Sequence, residues 1–325
     1  MSAKIIVPDD YPVAISGTEA EKKLLTLGEV KIYNDRAETQ NDLIKRIKDA
    51  QVVVNIRAYS KFNRDVLNEC SSLRMISIWG TGTDNVDLKA AKQLGITVTN
   101  TPGANALSVA EHTIAIMLAA ARQIPLLDRG TRAGEWPRVE MTQLSGKVLG
   151  VIGLGAIGRH VARMARGLGM EVVAWTRRPS PQRAAESGVT FVSKEQLLKT
   201  SDVVSLHLGL NEETRGFLKK EDFSLMKQTA LFVNTARAGL IEEGALLDAL
   251  QEKKIAAAAL DAYDREPLPA DDPLTALPNV VLTPHNAGMT PEATNTGLMM
   301  TVENAGDFLS GRGVKAEHLV VEGTR

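Results

Sequence analysis

The sequence has little cysteine, few aromatic residues and almost no net charge. Among 325 residues there is one cysteine, Cys70, and aromatic residues make up 4%. A single cysteine excludes a disulfide framework and a cysteine-rich metal site. Basic and acidic residues nearly cancel, 38 against 39, so no overall field attracts nucleic acid or an anionic membrane. We therefore expect neither partner.

Long apolar runs are also lacking. No stretch of about 18 apolar residues occurs, and the first residues hold no apolar run of signal-peptide length. We therefore expect a soluble, cytoplasmic protein. With 44% apolar and 24% charged residues, the composition is typical of a globular protein with an aliphatic core.

Short β-branched runs alternate with amphipathic stretches, which indicates parallel βαβ units. The length corresponds to roughly two domains. The first series of predicted strands and helices is Lys4–Val7, Thr18–Leu27, Val30–Tyr33, Thr39–Lys48, Gln51–Ile56, Met75–Ile78 and Ile96–Asn100.

A second series of such units interrupts the first. Ala106–Arg122 predicts a buried helix, whereas residues 123–146 carry turn signals and little periodicity. New βαβ units run from Lys147 to about Thr283, and a last helix is predicted from Pro291 to about Ser310. We predict a discontinuous domain of residues 1–100 plus 290–325, with a domain of residues 101–289 inserted into it.

A glycine-rich turn opens the inserted domain. Gly153, Gly155 and Gly158 follow the apolar strand Val148–Ile152 and precede a helical segment, with a second strand at Glu171–Trp175. Such glycines permit a tight turn, close approach of a pyrophosphate and close helix–strand packing. The pattern predicts a dinucleotide site that includes Ala156 and Ile157; the alternative is a tight turn without a ligand.

The end of the second strand decides which dinucleotide is preferred. NAD sites usually have Asp or Glu there, but this chain has Thr176, Arg177 and Arg178. Two guanidinium groups suit a 2′-phosphate, which favours NADP(H). Alternatively, both arginines are solvated and NAD(H) is held by other contacts.

Several further motifs follow in a characteristic order: Gly80–Asp87, Asn100–Gly103, Ser108–His112, Asn234–Gly239, Leu260–Pro267 and Thr283–Gly288. With them the chain resembles, over nearly its whole length, the D-isomer-specific 2-hydroxyacid dehydrogenases. That family includes glyoxylate/hydroxypyruvate reductases and D-3-phosphoglycerate dehydrogenases. The resemblance implies an α/β fold of two doubly wound parallel-sheet domains, a Rossmann cofactor domain inserted into a flavodoxin-like substrate domain.

The resemblance also implies the reaction. A hydride would pass between NAD(P)H and the C2 carbonyl of a small 2-oxo acid, giving a D-2-hydroxy acid in a site between the domains. No metal is required, and a homodimer is expected through the region of residues 106–146.

Three catalytic residues follow from the resemblance. His285 matches the acid/base histidine, and histidine titrates near neutral pH. Glu266 matches its carboxylate partner, which favours the imidazolium form. Arg237 matches the arginine that polarises the substrate carbonyl and holds the carboxylate.

Substrate and cofactor contacts are implied as well. The backbone amides of Thr81 and Gly82 would bind the substrate carboxylate. Arg57 matches a basic substrate-side position; alternatively, it is a solvated loop arginine. The positions matching the family's remaining cofactor contacts are Asp261 at the nicotinamide carboxamide, His207 and Thr214 near the adenosine, and Thr235 and Gly288.

The remaining histidines carry no catalytic prediction. We expect His160 and His318 on solvated faces, His112 packed near the domain hinge, and Cys70 in the core. Three alternative functions stay open: a formate dehydrogenase-like enzyme, an NAD-dependent phosphoglycerate dehydrogenase-like enzyme, and a redox-sensing NAD(H)-binding corepressor.

Overall fold

The structure of the protein is a computed structural model that describes residues 2–57 and 59–325. It divides into two compact units. The first comprises the chain up to Asn105 together with Met289–Arg325, and the second is Ala106–Gly288. The first border falls five residues later than expected because Thr101 is held by the first unit, where its N–H donates to the Gly80 carbonyl oxygen at 3.0 Å.

The strands of both units are short and mostly buried. In chain order they are β1 (Ala3–Val7), β2 (Gly28–Ile32), β3 (Val52–Asn55), β4 (Met75–Ile78), β5 (Thr97–Thr99), β6 (Val148–Ile152), β7 (Glu171–Trp175), β8 (Thr190–Phe191), β9 (Val203–Leu206), β10 (Leu231–Asn234), β11 (Ala257–Leu260), β12 (Val280–Leu282) and β13 (Leu319–Val321).

The helices connect these strands and cover the sheets. They are α1 (Glu19–Leu25), α2 (Gln40–Ile47), α3 (Arg64–Asn68), α4 (Leu88–Gln93), α5 (Ala106–Ala121), α6 (Ile124–Arg132), α7 (Ala156–Gly167), α8 (Pro181–Ser187), α9 (Lys194–Thr200), α10 (Lys220–Leu225), α11 (Ala245–Gln251) and α12 (Pro291–Leu309).

The first unit has a six-stranded sheet in the order β13-β5-β4-β3-β1-β2. Strands β1 to β5 run parallel, and β13 pairs antiparallel with β5 at the edge. From β1 the chain moves outward to β2 and then returns to β3 on the other side. This change of direction leaves a crevice beyond the carboxyl ends of β1 and β3, where ligands bind in open α/β sheets.

The second unit has a seven-stranded parallel sheet in the order β12-β11-β10-β9-β6-β7-β8. Its direction changes between β6 and β9, so the turn after β6 lies at the corresponding crevice. The core on both faces of this sheet is aliphatic, with Phe223 and Phe232 among its few aromatic members. The predicted fold class, two doubly wound parallel-sheet domains, is confirmed.

Two elements contradict the sequence prediction. Residues 123–146, expected to be irregular, contain α6, which begins after Gln123 in a left-handed conformation at φ 51° and carries a glycine in its interior, Gly130. Strand β13 was not predicted, because it has only three residues, at the sheet edge, and its register with β5 is interrupted. Within the described residues, no helix is both long and apolar enough to cross a membrane.

Candidate active site

The three glycines after β6 have different surroundings. Gly153 has φ +99°, and a Cβ there would lie 2.5 Å from the His207 carbonyl oxygen. A Cβ on Gly158 would lie 2.1 Å from the Gly153 carbonyl oxygen, whereas a Cβ on Gly155 would meet nothing within 4 Å. Gly153 and Gly158 therefore permit packing of the turn, and Gly155 leaves open space above it.

That space adjoins the beginning of α7. Gly155 is the N-cap residue and provides no side-chain cap, while Ala156 is exposed and Ile157 half-buried. The first N–H groups of a helix have no intrahelical acceptors and carry a partial positive charge. The turn therefore fits the pyrophosphate of a dinucleotide.

The segment after β7 contains no carboxylate but several arginines. Thr176 is half-buried, and Arg177 and Arg178 are exposed. Arg177 forms an ion pair with Glu213, which comes from the loop after β9. Arg183 of α8 was not predicted; its Nη1 donates to the Arg178 carbonyl at 3.0 Å and its Nη2 to a carbonyl of the glycine turn. The one sequence signal for Arg183 is its position, five residues after Arg178.

The loop after β9 is held by its own side chains. His207 is half-buried, its Nε2 lies 2.8 Å from the Ser205 hydroxyl, and burial lowers its pKa to about 4. The Thr214 hydroxyl donates to the Gly209 carbonyl at 2.7 Å and accepts the Asn211 N–H at 2.8 Å. His207 is therefore neutral at physiological pH, and Thr214 closes the loop.

His285 and Glu266 form a direct pair. The Nδ1 atom of His285 lies 2.8 Å from both carboxylate oxygens of Glu266. Burial favours a higher pKa for Glu266, but bonds from His285 and the Tyr263 N–H and the charge of Arg237 outweigh it, so the pKa is lowered. The carboxylate thus remains ionised and holds the proton on Nδ1, which leaves Nε2 for proton exchange.

The backbone at His285 is in the left-handed region, at φ 51°. For a residue with a Cβ this costs roughly 1–3 kcal/mol and requires support from the surroundings. Asp261 supplies it, because its carboxylate accepts the Asn286 N–H at 3.1 Å and the Ala287 N–H at 2.9 Å. The segment carrying His285 is thereby fixed to the end of β11.

Asp261 is 1% exposed and has further donors. The Thr283 hydroxyl donates to it at 2.6 Å, and His112 Nε2 lies 3.0 Å from that hydroxyl and 3.5 Å from the carboxylate. Burial would raise the pKa of Asp261, but the bonds from His112, Thr283 and the backbone lower it. His112 thus belongs to the support of the His285 segment, a contact that the sequence did not reveal.

Arg237 follows β10, the neighbour of β11. Asn234 fixes this corner: its Oδ1 accepts the Ala236 N–H at 2.9 Å and its Nδ2 donates to the Arg237 carbonyl at 3.0 Å. Thr235 is buried, with its hydroxyl 2.8 Å from that of Thr113. Gly288, half-buried, ends the unit. Arg237, Glu266 and His285 therefore follow three adjacent parallel strands at one sheet edge.

In the first unit, Arg57 follows β3 and is only 9% exposed. Its Nη2 donates to the Pro12 carbonyl at 2.6 Å, and its guanidinium carbon lies 5.7 Å from the centre of the Trp79 ring. The interpretation as a solvated loop arginine is wrong. Thr81 and Gly82 follow the adjacent strand β4, with Thr81 exposed and Gly82 half-buried.

The sequence analysis did not predict the burial of two polar residues of this unit, Asp9 and His318. Asp9, after β1, is fully buried and accepts the Ser60 hydroxyl at 2.8 Å; burial raises its pKa to about 6 despite the lowering effect of Ser60 and Arg57. The expectation of His318 on a solvated face is wrong: it is 6% exposed, and its Nδ1 bonds to Asn304 Oδ1 at 2.7 Å.

Comparison with known proteins gives consistent matches. Residues 114–287 match the family model described as D-isomer specific 2-hydroxyacid dehydrogenase, NAD binding domain. The D-3-phosphoglycerate dehydrogenase of Archaeoglobus fulgidus is 42% identical over 265 residues, 81% of this chain and 50% of that protein. The glyoxylate reductase of Aeropyrum pernix is 39% identical over 279 residues, 83% of both chains. A glyoxylate reductase structure from Paecilomyes thermophila superposes with a TM-score of 0.88 at 30% identity, covering 98% of both chains.

The extent of these matches differs. The chain spans about half the length of the phosphoglycerate dehydrogenases that it matches, 50% and 57% for two archaeal ones. It spans most of the glyoxylate reductases, and the family model covers more than half of the chain. The matched domain also indicates a nicotinamide cofactor. The chain belongs to the D-isomer specific 2-hydroxyacid dehydrogenase family.

Proposed function

We propose that the protein transfers a hydride between NAD(P)H and the C2 carbonyl of a small 2-oxo acid of the glyoxylate or hydroxypyruvate type, giving a D-2-hydroxy acid. The observation that carries the proposal is the His285–Glu266 pair at 2.8 Å, beside Arg237 at the carboxyl ends of three adjacent strands. An acid/base histidine, its carboxylate and a cation for an anionic substrate are the groups that such a reduction needs.

The chemistry divides among these groups. A nicotinamide cofactor on the glycine turn would supply the hydride. His285 would donate its Nε2 proton to the carbonyl oxygen, and the Glu266 carboxylate would stabilise the imidazolium form that holds this proton. Arg237 would bind the substrate carboxylate and polarise the carbonyl. The N–H groups of Thr81 and Gly82 would bind the substrate carboxylate as well.

The cofactor contacts form the second part of the proposal. The glycine turn with Ala156 and Ile157 would hold the pyrophosphate, and Arg177 and Arg178 would favour NADP(H) while NAD(H) is accepted. Glu213 competes for Arg177 and so moderates this preference. Asp261 is assigned to the nicotinamide carboxamide, and His207 and Thr214 are assigned to the adenosine. Thr176, Thr235 and Gly288 are assigned to further contacts with the cofactor.

An unphosphorylated substrate fits the first unit better than a phosphorylated one. Arg57, a basic residue beside the crevice, is buried, and its Nη2 already donates to the Pro12 carbonyl. A dianionic phosphate requires donors that are free to turn toward it. We therefore place glyoxylate and hydroxypyruvate ahead of 3-phosphohydroxypyruvate.

A substrate panel tests this function. Glyoxylate, hydroxypyruvate, pyruvate and 3-phosphohydroxypyruvate are each assayed with NADH and with NADPH by loss of absorbance. We expect consumption with the first two acids, faster with NADPH. Absence of turnover with every acid, despite cofactor binding, would refute the enzymatic proposal and favour a redox-sensing role.

We also propose a homodimer through the segment after α5. Ile124, Trp136 and Met141 expose 52%, 72% and 45% of their surface, an unusual concentration of exposed large apolar side chains within one short segment. Light scattering should give twice the chain mass, and Trp136→Lys should shift the protein toward monomer. A monomeric wild type would overturn this proposal.

A further inference from the structure

The turn after β4 includes two neighbouring backbone N–H groups that have no acceptor within the described residues. Gly80 has φ +117°, and its N–H donates to the Thr101 hydroxyl at 2.7 Å. Over residues 2–57 and 59–325, the next two N–H groups, of Thr81 and Gly82, have no hydrogen-bond acceptor. Because an unpaired backbone N–H is costly unless water or a ligand satisfies it, this pair can receive an anion.

The carbonyl groups of Gly80 and Thr81 in the same turn are both held. The Gly80 carbonyl accepts the Thr101 N–H at 3.0 Å, and the Thr81 carbonyl accepts Nδ2 of Asn100 at 2.8 Å. In a planar trans peptide, the carbonyl and the following N–H point in opposite directions. A bond to the Gly80 carbonyl therefore fixes the direction of the Thr81 N–H, and a bond to the Thr81 carbonyl fixes that of Gly82.

Asn100 is in turn held from the C-terminal part of the unit. Its N–H donates to the His318 carbonyl at 3.0 Å, and its carbonyl accepts Nδ2 of Asn304 at 3.2 Å. Asn304 Oδ1 lies 2.7 Å from His318 Nδ1, so this ring nitrogen carries the proton. Asn304 is 2% exposed and His318 is 6% exposed, so the bonds are shielded from water.

We propose that Asn100 and Thr101 are positioning residues that orient the Thr81 and Gly82 N–H groups toward the substrate carboxylate, and that Asn304 and His318 hold Asn100 in place for this purpose. The inference rests on the proposed function, because it takes these two N–H groups as ligands of the 2-oxo acid. It explains why a short segment after β5 is tied both to the β4 turn and to α12.

The test separates substrate binding from chemistry. Asn100→Ala removes the donor to the Thr81 carbonyl, and Asn100→Asp keeps the shape but replaces the donor with a carboxylate. Asn279→Ala is the matched control, since Asn279 Nδ2 makes the same kind of bond, to the Ala256 carbonyl at 2.9 Å, in the other unit. Steady-state kinetics are measured with glyoxylate, and oxamate affinity is measured with cofactor bound.

Both Asn100 variants should raise KM and weaken oxamate binding about tenfold or more, the loss of one charge-assisted bond. Their kcat should change less than threefold, with cofactor affinity unchanged. Asn279→Ala should leave kcat, KM, oxamate affinity and cofactor affinity unchanged. Asn304→Ala should show the same pattern in weaker form.

Two results would overturn the inference with the proposed function intact: an active Asn100→Ala enzyme with wild-type KM, or a fall confined to kcat. If Asn100→Ala does not fold, as judged by thermal unfolding, Thr101→Val tests the same turn, because it removes the hydroxyl that accepts the Gly80 N–H. A wild type inactive with all 2-oxo acids would overturn both proposals, which distinguishes the two failures.

Discussion

Gly155 and Gly158, three residues apart in the turn after β6, should respond to alanine in opposite ways. A Cβ on Gly158 would lie 2.1 Å from the Gly153 carbonyl oxygen and 3.2 Å from its carbon, against an ordinary contact of 3.4 Å or more. Because backbone atoms cannot rotate away, α7 must shift. Overpacking costs about 1–3 kcal/mol, and this overlap lies at the upper end. The better helix propensity of alanine returns about 1 kcal/mol.

The net loss for Gly158→Ala is thus about 2 kcal/mol, or roughly 4–8 °C in unfolding temperature for a unit of this size. Gly155→Ala meets nothing within 4 Å, at φ −85° where alanine is permitted. Alanine lowers the conformational entropy of the unfolded chain, which stabilises the folded protein, but it is a poorer N-cap residue than glycine. Each effect is below about 1 kcal/mol, and the two offset each other. Its stability should therefore equal that of the wild type within about 1 kcal/mol.

Cofactor affinity should separate these variants again. The added methyl group of Gly155→Ala would occupy the space assigned to the pyrophosphate, so the Kd for NADPH should rise about tenfold or more. Thermal unfolding and fluorescence titration with NADPH measure the two effects. A Gly155→Ala protein with wild-type affinity would refute the phosphate assignment. A Gly158→Ala protein with wild-type stability would refute the packing argument.

Four further predictions follow from the site. His285→Ala should lose most turnover but retain cofactor affinity; unchanged turnover in steady-state assays would contradict the acid/base role. Replacing Arg177 and Arg178 together with Ala should weaken NADPH far more than NADH in fluorescence titrations, and equal effects would exclude a 2′-phosphate contact. Glu266→Gln should lower kcat for reduction about tenfold or more with cofactor affinity kept, because the carboxylate that holds the Nδ1 proton of His285 is lost; a wild-type kcat would contradict the pairing. Asp9 has a folded pKa of about 6 against its ordinary 3.8, so stability should fall by roughly 2 kcal/mol as pH rises from 4 to 6, and Asp9→Asn should abolish this fall in urea unfolding.

The sequence predicted the features that depend on local spacing. Met75–Ile78 matches β4, and the helix predicted from Ala106 differs from α5 by one residue, since each has an apolar pattern within a few turns. The glycine turn was also predictable, because strand, glycines and helix are contiguous. The left-handed conformation of His285 was not, since a histidine adopts it only where surrounding bonds require it.

Contacts between residues that are far apart in the sequence could not be predicted from local spacing. Asn304 meets Asn100 across 204 residues of sequence, and His318 was placed on the surface because nothing near it in sequence indicates its buried partner. Asp261 was predicted from the family resemblance alone, and its bonds to the His285 segment emerged only from the fold. Side-chain networks of this kind depend on topology, which periodicity does not encode.

The pairing of β13 with β5 has a consequence for the order in which the protein acquires its structure during synthesis. The first unit needs α12 and Leu319–Val321 to complete its core and sheet edge, and these leave the ribosome after all of Ala106–Gly288. The second unit is contiguous in sequence and forms its sheet from its own strands alone. We therefore expect the usual N-terminal-first order to be reversed, with the inserted unit folding ahead of the unit that surrounds it.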